Sequence, residues 1–157
     1  MDGKLRFWIR GGIIAAIYIV LSFVFKPFGF GYIQVRIAEA LCILPFFTTA
    51  AVPGLFVGCV LSNLLFSEFS VIDMAVGGLA TLIAAVITSR IKKEWAAPLP
   101  AVLINAVAVG IMLSKLMNVP WAITCSTVFA GQAVACYGLG MPLLFALKKY
   151  KIFEERR

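Results

Sequence analysis

The feature that most constrains this chain is a succession of long apolar runs separated by short polar breaks. The first, at residues 8–25, carries Arg10 near its start and no further charge before Lys26. Further runs follow at 37–51, 53–66, 72–90, 98–117 and 121–147. A helix rises about 1.5 Å per residue, so roughly 20 apolar residues cross about 30 Å of hydrocarbon. Lipid offers no partner to a backbone N–H or C=O, so runs of this kind must close their hydrogen bonds internally as helices. Composition agrees: 62% of the 157 residues are hydrophobic and 13% charged, against about 45–50% and about 25% in soluble domains. The predicted fold is therefore an all-α integral membrane protein, one domain over residues 1–157 with six transmembrane helices. The second run is short and reads as a short or partly submerged helix. It and the third can also be drawn as one broken helix pair around Pro53-Gly54.

Six crossings leave no room for a soluble catalytic domain, and no G-x-x-x-x-G-K-[ST] phosphate loop occurs, which excludes a self-powered ATP-driven pump. Lys4, Arg6 and Arg10 ahead of an apolar run resemble a signal peptide. The run is longer than a signal core and no small-x-small cleavage site follows, so it is expected to remain as a mature helix. The net charge of +7 is a topology signal. With six spans, Lys4, Arg6, Arg10, Arg90, Lys92, Lys93, Lys148, Lys149, Lys151, Arg156 and Arg157 fall on one side, 11 of the 14 Lys and Arg. The positive-inside rule makes that side cytoplasmic, with both termini on it. Basic residues spread over three short segments, with no stacking platform between them, do not suit nucleic acid.

The chemistry is expected in the polar groups that topology leaves unexplained, since ionisable residues in or beside a span are costly. Arg36 and Glu39 are three apart on one helix face, as an ion pair or as ligand contacts. Asp73 either caps the fourth helix or reaches a ligand. Glu68 sits in a polar loop as a solvated charge. Gln34, Asn63, Asn105 and Gln132 add amides, those in apolar stretches needing partners as interhelical glue or on a ligand. Phe28, Phe30, Tyr32, Phe66, Phe69 and Trp121 lie near the outer loops, suited to interface anchoring or to stacking on a flat ring.

No His is present, so imidazole chemistry and most zinc or haem sites are excluded, and no metal site is expected. Cys42, Cys59, Cys125 and Cys136 have no C-x-x-C spacing and read as small core residues. Without a paired nucleophile and base, the chain reads as a binder or carrier rather than an enzyme. Gly77-Gly78 reads as close helix packing. Gly11, Gly12, Ala15 and Ala16 form two overlapping small-xxx-small pairs, which let a second helix approach, here as a docking face for a partner.

Four stretches carry a family resemblance: Tyr32-Ile-Gln-Val-Arg-Ile-Ala-Glu-Ala-Leu-Cys-Ile-Leu-Pro-Phe-Phe47; Pro53-Gly-Leu-Phe-Val-Gly-Cys59 with Asn63; Asp73 ahead of Gly77-Gly-Leu-Ala-Thr81; and Pro100-Ala-Val-Leu-Ile-Asn105. Together they resemble the QueT family, the substrate-binding S components of energy-coupling factor (ECF) transporters for queuosine precursors. The likeness covers nearly the whole chain, and Gln34-Val-Arg36-Ile-Ala-Glu39 is its most specific part. It implies a six-helix S-component bundle with an extracellular ligand pocket. It also implies docking on one transmembrane coupling subunit and two ATPases, which use ATP; no cofactor is implied in this chain. Gly12 and Ala16 are the implied docking positions, although related S components more often carry Ala at both.

The implied ligand fits the polar inventory. A 7-deazaguanine presents N–H donors along one edge; a carboxylate accepts two of them and an amide donates to the ring carbonyl. Glu39 or Asp73 would accept, Arg36 would orient the carboxylate, and Gln34, Asn63, Asn105 or Gln132 would complete the set. Two other functions share most of these features: an S component for another vitamin or base, and a small self-sufficient secondary carrier.

Overall fold

The computed structural model describes residues 3–29, 35–67 and 70–153, so Gln34, Glu68, Phe30, Tyr32, Phe69, Arg156 and Arg157 lie outside the described residues. Helix α1 (Gly3–Val24) is followed by the single turn α2 (Lys26–Gly29) and a 3₁₀ helix (Ile37–Phe46). Then come α3 (Ala51–Phe66), α4 (Ser70–Thr88), a short 3₁₀ turn (Glu94–Ala96) and α5 (Leu99–Met117). The last rod is continuous: α6 (Trp121–Ala133), a π-helical stretch (Val134–Gly140) and α7 (Met141–Lys149). No strand occurs among the described residues.

Four of these rods are long and apolar enough to cross a bilayer: α1, α4, α5 and the final rod Trp121–Lys149. The 3₁₀ helix and α3 are shorter apolar helices, of 10 and 16 residues. The second predicted run thus ends earlier than 51, and the third begins at Ala51 rather than 53. Pro53 is no break, because it sits in the first turn of α3, where its missing N–H has no intrahelical partner to lose. The 3₁₀ winding has a geometric consequence: at about 2.0 Å per residue it covers about a third more depth than an α-helix of the same length. The π-helical stretch precedes Pro142, whose ring cannot donate to the preceding turn and clashes with it, and a widened turn absorbs that clash.

Small residues set the closest approach. A Cβ on Gly54 would stand 2.6 Å from the Gly11 carbonyl oxygen, and one on Gly58 2.8 Å from Cβ of Tyr18. Gly11, Ala15 and Tyr18 on α1 therefore meet Gly54 and Gly58 on α3 backbone to backbone, and Phe23 meets Phe66 further along at 5.6 Å. The two helices run parallel, with the 3₁₀ helix returning between them. Chain direction then alternates through α4, α5 and the last rod, so the ends of α1 and α7 share one face of the bundle. There the Arg10 guanidinium lies 5.9 Å from the Phe153 ring centroid and Phe47 stacks on Phe153. There too Tyr137 donates to the Trp95 carbonyl at 3.1 Å and Lys148 pairs with Glu94 at 2.5 Å. The basic segments gather at this end. The Lys148–Glu94 pair is partly exposed, and such pairs contribute about 0–1 kcal/mol.

The exterior is apolar. Ile13, Ile17 and Val20 on α1, Leu79, Ile83 and Ile87 on α4, and Leu103, Val107 and Ile111 on α5 are all exposed, each set on one helical stripe. The interior holds Arg36, Glu39, Asn63, Asp73, Asn105 and Gln132, all buried. That inversion, aliphatic stripes outside and charges inside, suits hydrocarbon as solvent and would aggregate in water.

Candidate functional site

The start of the chain's first return holds the charged centre. Arg36 is the residue before the 3₁₀ helix, in extended conformation, and Glu39 is in its first turn. Asn63 lies in the last turn of α3, and Asp73 in the first turn of α4. These helix ends lie away from the basic face, so the site occupies the opposite half of the bundle. Asp73 is inside α4 rather than ahead of it, so it does not cap the helix from the preceding position.

Glu39 is 1% exposed and both its carboxylate oxygens are engaged. Tyr18 donates to Oε1 at 2.5 Å and the Cys42 thiol to Oε2 at 2.7 Å. The Cys136 thiol, from the π-helical stretch, reaches the Glu39 carbonyl at 3.5 Å and also Gln132 Oε1 at 3.5 Å. Gln132 is therefore joined to the Glu39 backbone through one thiol. Asn63 uses its amide nitrogen twice, on the Asp73 carbonyl at 2.9 Å and on Cys59 Sγ at 3.4 Å, and Thr81 also donates to Cys59 at 3.4 Å. Ser67 donates to one oxygen of the Asp73 carboxylate, Oδ2.

Arg36 lies within electrostatic reach of both Glu39 and Asp73. A buried guanidinium is tolerable only where opposite charge compensates its lost hydration, which the two carboxylates provide. Gly77 makes the arrangement possible: a Cβ there would stand 2.8 Å from Asn63 Nδ2 and 3.7 Å from Arg36 Nη1. Asp73 Oδ1, Ser62 Oγ and Asn105 Nδ2 are buried and have no hydrogen-bond partner among the described residues. Between α1, the 3₁₀ helix and α3 a narrow cavity is walled by Tyr18, Leu21 and Phe25 on one side and by Arg36, Ser62 and Asn63 on the other. It has room for about one water molecule.

Of the residues singled out in the sequence, Arg36, Glu39, Asn63 and Asp73 are brought together, and Gln132 touches the same network. Asn105 is buried on α5, five residues toward the basic end from the Gly110 contact with Cys125 on α6. Gly12 and Ala16 are exposed on α1, with nothing within 4 Å of a Cβ on Gly12. The other half of the small-residue pattern, Gly11 and Ala15, is buried and belongs to the α3 contact instead. Gly78 packs on Val60 and Phe56 of α3. The cysteines are free thiols, Cys42, Cys59 and Cys136 buried and Cys125 half-buried. Phe66 packs on Phe23, and Trp121 is exposed. Tyr18, Cys42, Ser62 and Thr81 were not anticipated as members of the site. A tyrosine among aliphatics on the Gly11–Ile14–Ala15 stripe was the available signal, because a buried phenol needs a partner.

Fold and site together define a multi-pass helical membrane protein that holds a charged, hydrogen-bonded centre inside an apolar shell. The chain belongs to the QueT transporter family, whose model matches residues 8–149. It is similar to a protein of Lactococcus lactis subsp. cremoris (strain MG1363) named "Queuosine precursor transporter QueT", with 32% identity over 89 residues. That match covers 53% of this chain and 52% of the relative, so the chain spans about half the length of the curated relative it matches. No solved structure matches the chain.

Proposed function

We propose that the protein is the membrane-embedded substrate-binding subunit of an ECF-type ABC importer, taking up a queuosine precursor or salvage form. The substrate class is a 7-deazaguanine such as preQ1, preQ0 or queuine. The observation that carries this is the buried Arg36–Asp73–Asn63 grouping in the half of the bundle away from the basic face. Family membership and the name of the Lactococcus relative point the same way.

The positive-inside rule puts the basic face in the cytoplasm with both termini, and the charged centre toward the outside. An N–H-rich heterocycle edge meets the Asp73 carboxylate, whose Oδ1 is an acceptor without a partner among the described residues. Arg36 lies within electrostatic reach of that carboxylate and of Glu39, whose own oxygens are taken by Tyr18 and Cys42. The chain carries no phosphate loop of its own, so the energy comes from ATP hydrolysed by two partner ATPases and passed through a transmembrane coupling subunit. The exposed Gly12 and Ala16 on α1 form the face that meets that subunit. Engagement reorients the bundle and releases ligand inward.

Reconstitution in liposomes tests this. Uptake of labelled preQ1 should require the coupling subunit, both ATPases and ATP. Uptake by this chain alone, driven by a proton or sodium gradient, would make it a secondary carrier instead.

A further inference from the structure

Ser62 belongs to no resemblance motif, yet it lines the cavity between α1, the 3₁₀ helix and α3, beside Arg36 and Asn63. It is 1% exposed, and its hydroxyl has no hydrogen-bond partner among the described residues. A helical serine in an apolar setting ordinarily back-bonds to a carbonyl one turn earlier, as Ser126 does to Ala122 at 2.7 Å. Ser62 forgoes that bond. A buried hydroxyl left unmatched destabilises the fold that holds it, so it is tolerated where an occupant matches it.

We infer that Ser62 is a ligand-contacting, specificity-determining residue, and that the ligand's polar edge enters the α1–α3 cavity. The inference rests on the function proposed above. The cavity has the character that a flat heterocycle needs. Leu21, Phe25 and Ile37 supply apolar walls for the ring faces, and Arg36, Asn63 and Ser62 supply polar atoms for the edge. A hydroxyl both donates and accepts, so Ser62 matches a ring edge on which a donor and an acceptor are neighbours. Because the cavity has room for about one water, ring entry widens it, and the bond made to Ser62 offsets part of that cost.

The test uses the purified full chain, titrated by calorimetry with preQ0, preQ1 and queuine, together with the Ser62→Ala variant and thermal melts of both without ligand. The expected pattern has opposite signs: affinity falls about tenfold in Ser62→Ala, while the ligand-free melting temperature stays level or rises. A serine with a structural role alone would lower the melting temperature. Affinity unchanged within about twofold while wild type binds would overturn the Ser62 assignment and leave the proposed function standing. Wild type that binds none of the three would overturn the proposed function, and the assignment with it.

Discussion

Tyr18 of α1 donates its phenolic proton to Glu39 of the 3₁₀ helix across 2.5 Å, both side chains almost wholly buried. This bond ties the first crossing to the chain's return and fixes the carboxylate that faces Arg36. Tyr18→Phe removes the donor while keeping the ring. It leaves Glu39 Oε1 without its bond, a cost of about 1–3 kcal/mol. The melting temperature should fall by several degrees, and ligand affinity should fall with it as Arg36 loses its support. An unchanged melt in detergent would show that the bond contributes nothing.

The two halves of the small-residue pattern on α1 should separate cleanly. Gly54→Ala puts a methyl group 2.6 Å from the Gly11 carbonyl, so α1 and α3 must part, at about 1–3 kcal/mol. Gly12 has open space around it. Gly12→Leu should therefore leave the melt and ligand binding intact while abolishing ATP-driven uptake in cells. Loss of binding together with uptake would reveal a folding defect and remove the docking role.

Asp73 differs from Glu39 in having one oxygen without a partner among the described residues. Asp73→Asn keeps the shape and removes the charge, and one oxygen becomes a donor facing the ligand's own donors. Charge-assisted bonds are roughly twice as strong as neutral ones, so affinity should drop by about tenfold to a hundredfold. Calorimetry on the purified variant measures it directly, and equal affinity would move the ligand elsewhere.

At the basic face the Glu94–Lys148 pair joins a half-buried carboxylate to an exposed ammonium. Its removal by Glu94→Gln should change stability by less than about 1 kcal/mol. A larger loss in a thermal melt would mean that the pair locks the last rod in place.

Much of this was legible in the sequence because the bilayer imposes a simple code. Apolar runs give helices, and charges that interrupt them need company. Arg36, Glu39, Asn63 and Asp73 stood out for that reason and do converge. The winding of the segments did not stand out: nothing in Ile37–Phe46 distinguishes a 3₁₀ helix from a short α-helix before packing decides. Pro53 was weighed as a break because the start of α3 depends on where Thr48–Ala50 turn, a tertiary matter. The small-residue pattern was seen whole, but only packing against Gly54 and Gly58 reveals that Gly11 and Ala15 face inward while Gly12 and Ala16 stay exposed. Tyr18 and Ser62 are hard to single out because isolated tyrosines and serines in spans are common, and the Tyr18 partner lies 21 residues away while Ser62 Oγ has none among the described residues. Cys42 reads as a small core residue although its partner Glu39 is three residues away.

Native mass spectrometry of the protein purified from its own host, or loaded with preQ1 where no endogenous ligand is retained, tests the central claim most directly. The account predicts one bound molecule with the mass of a 7-deazaguanine, retained by the wild type and lost from Asp73→Asn. Retention of a different vitamin or base, or of no 7-deazaguanine after loading, would contradict it.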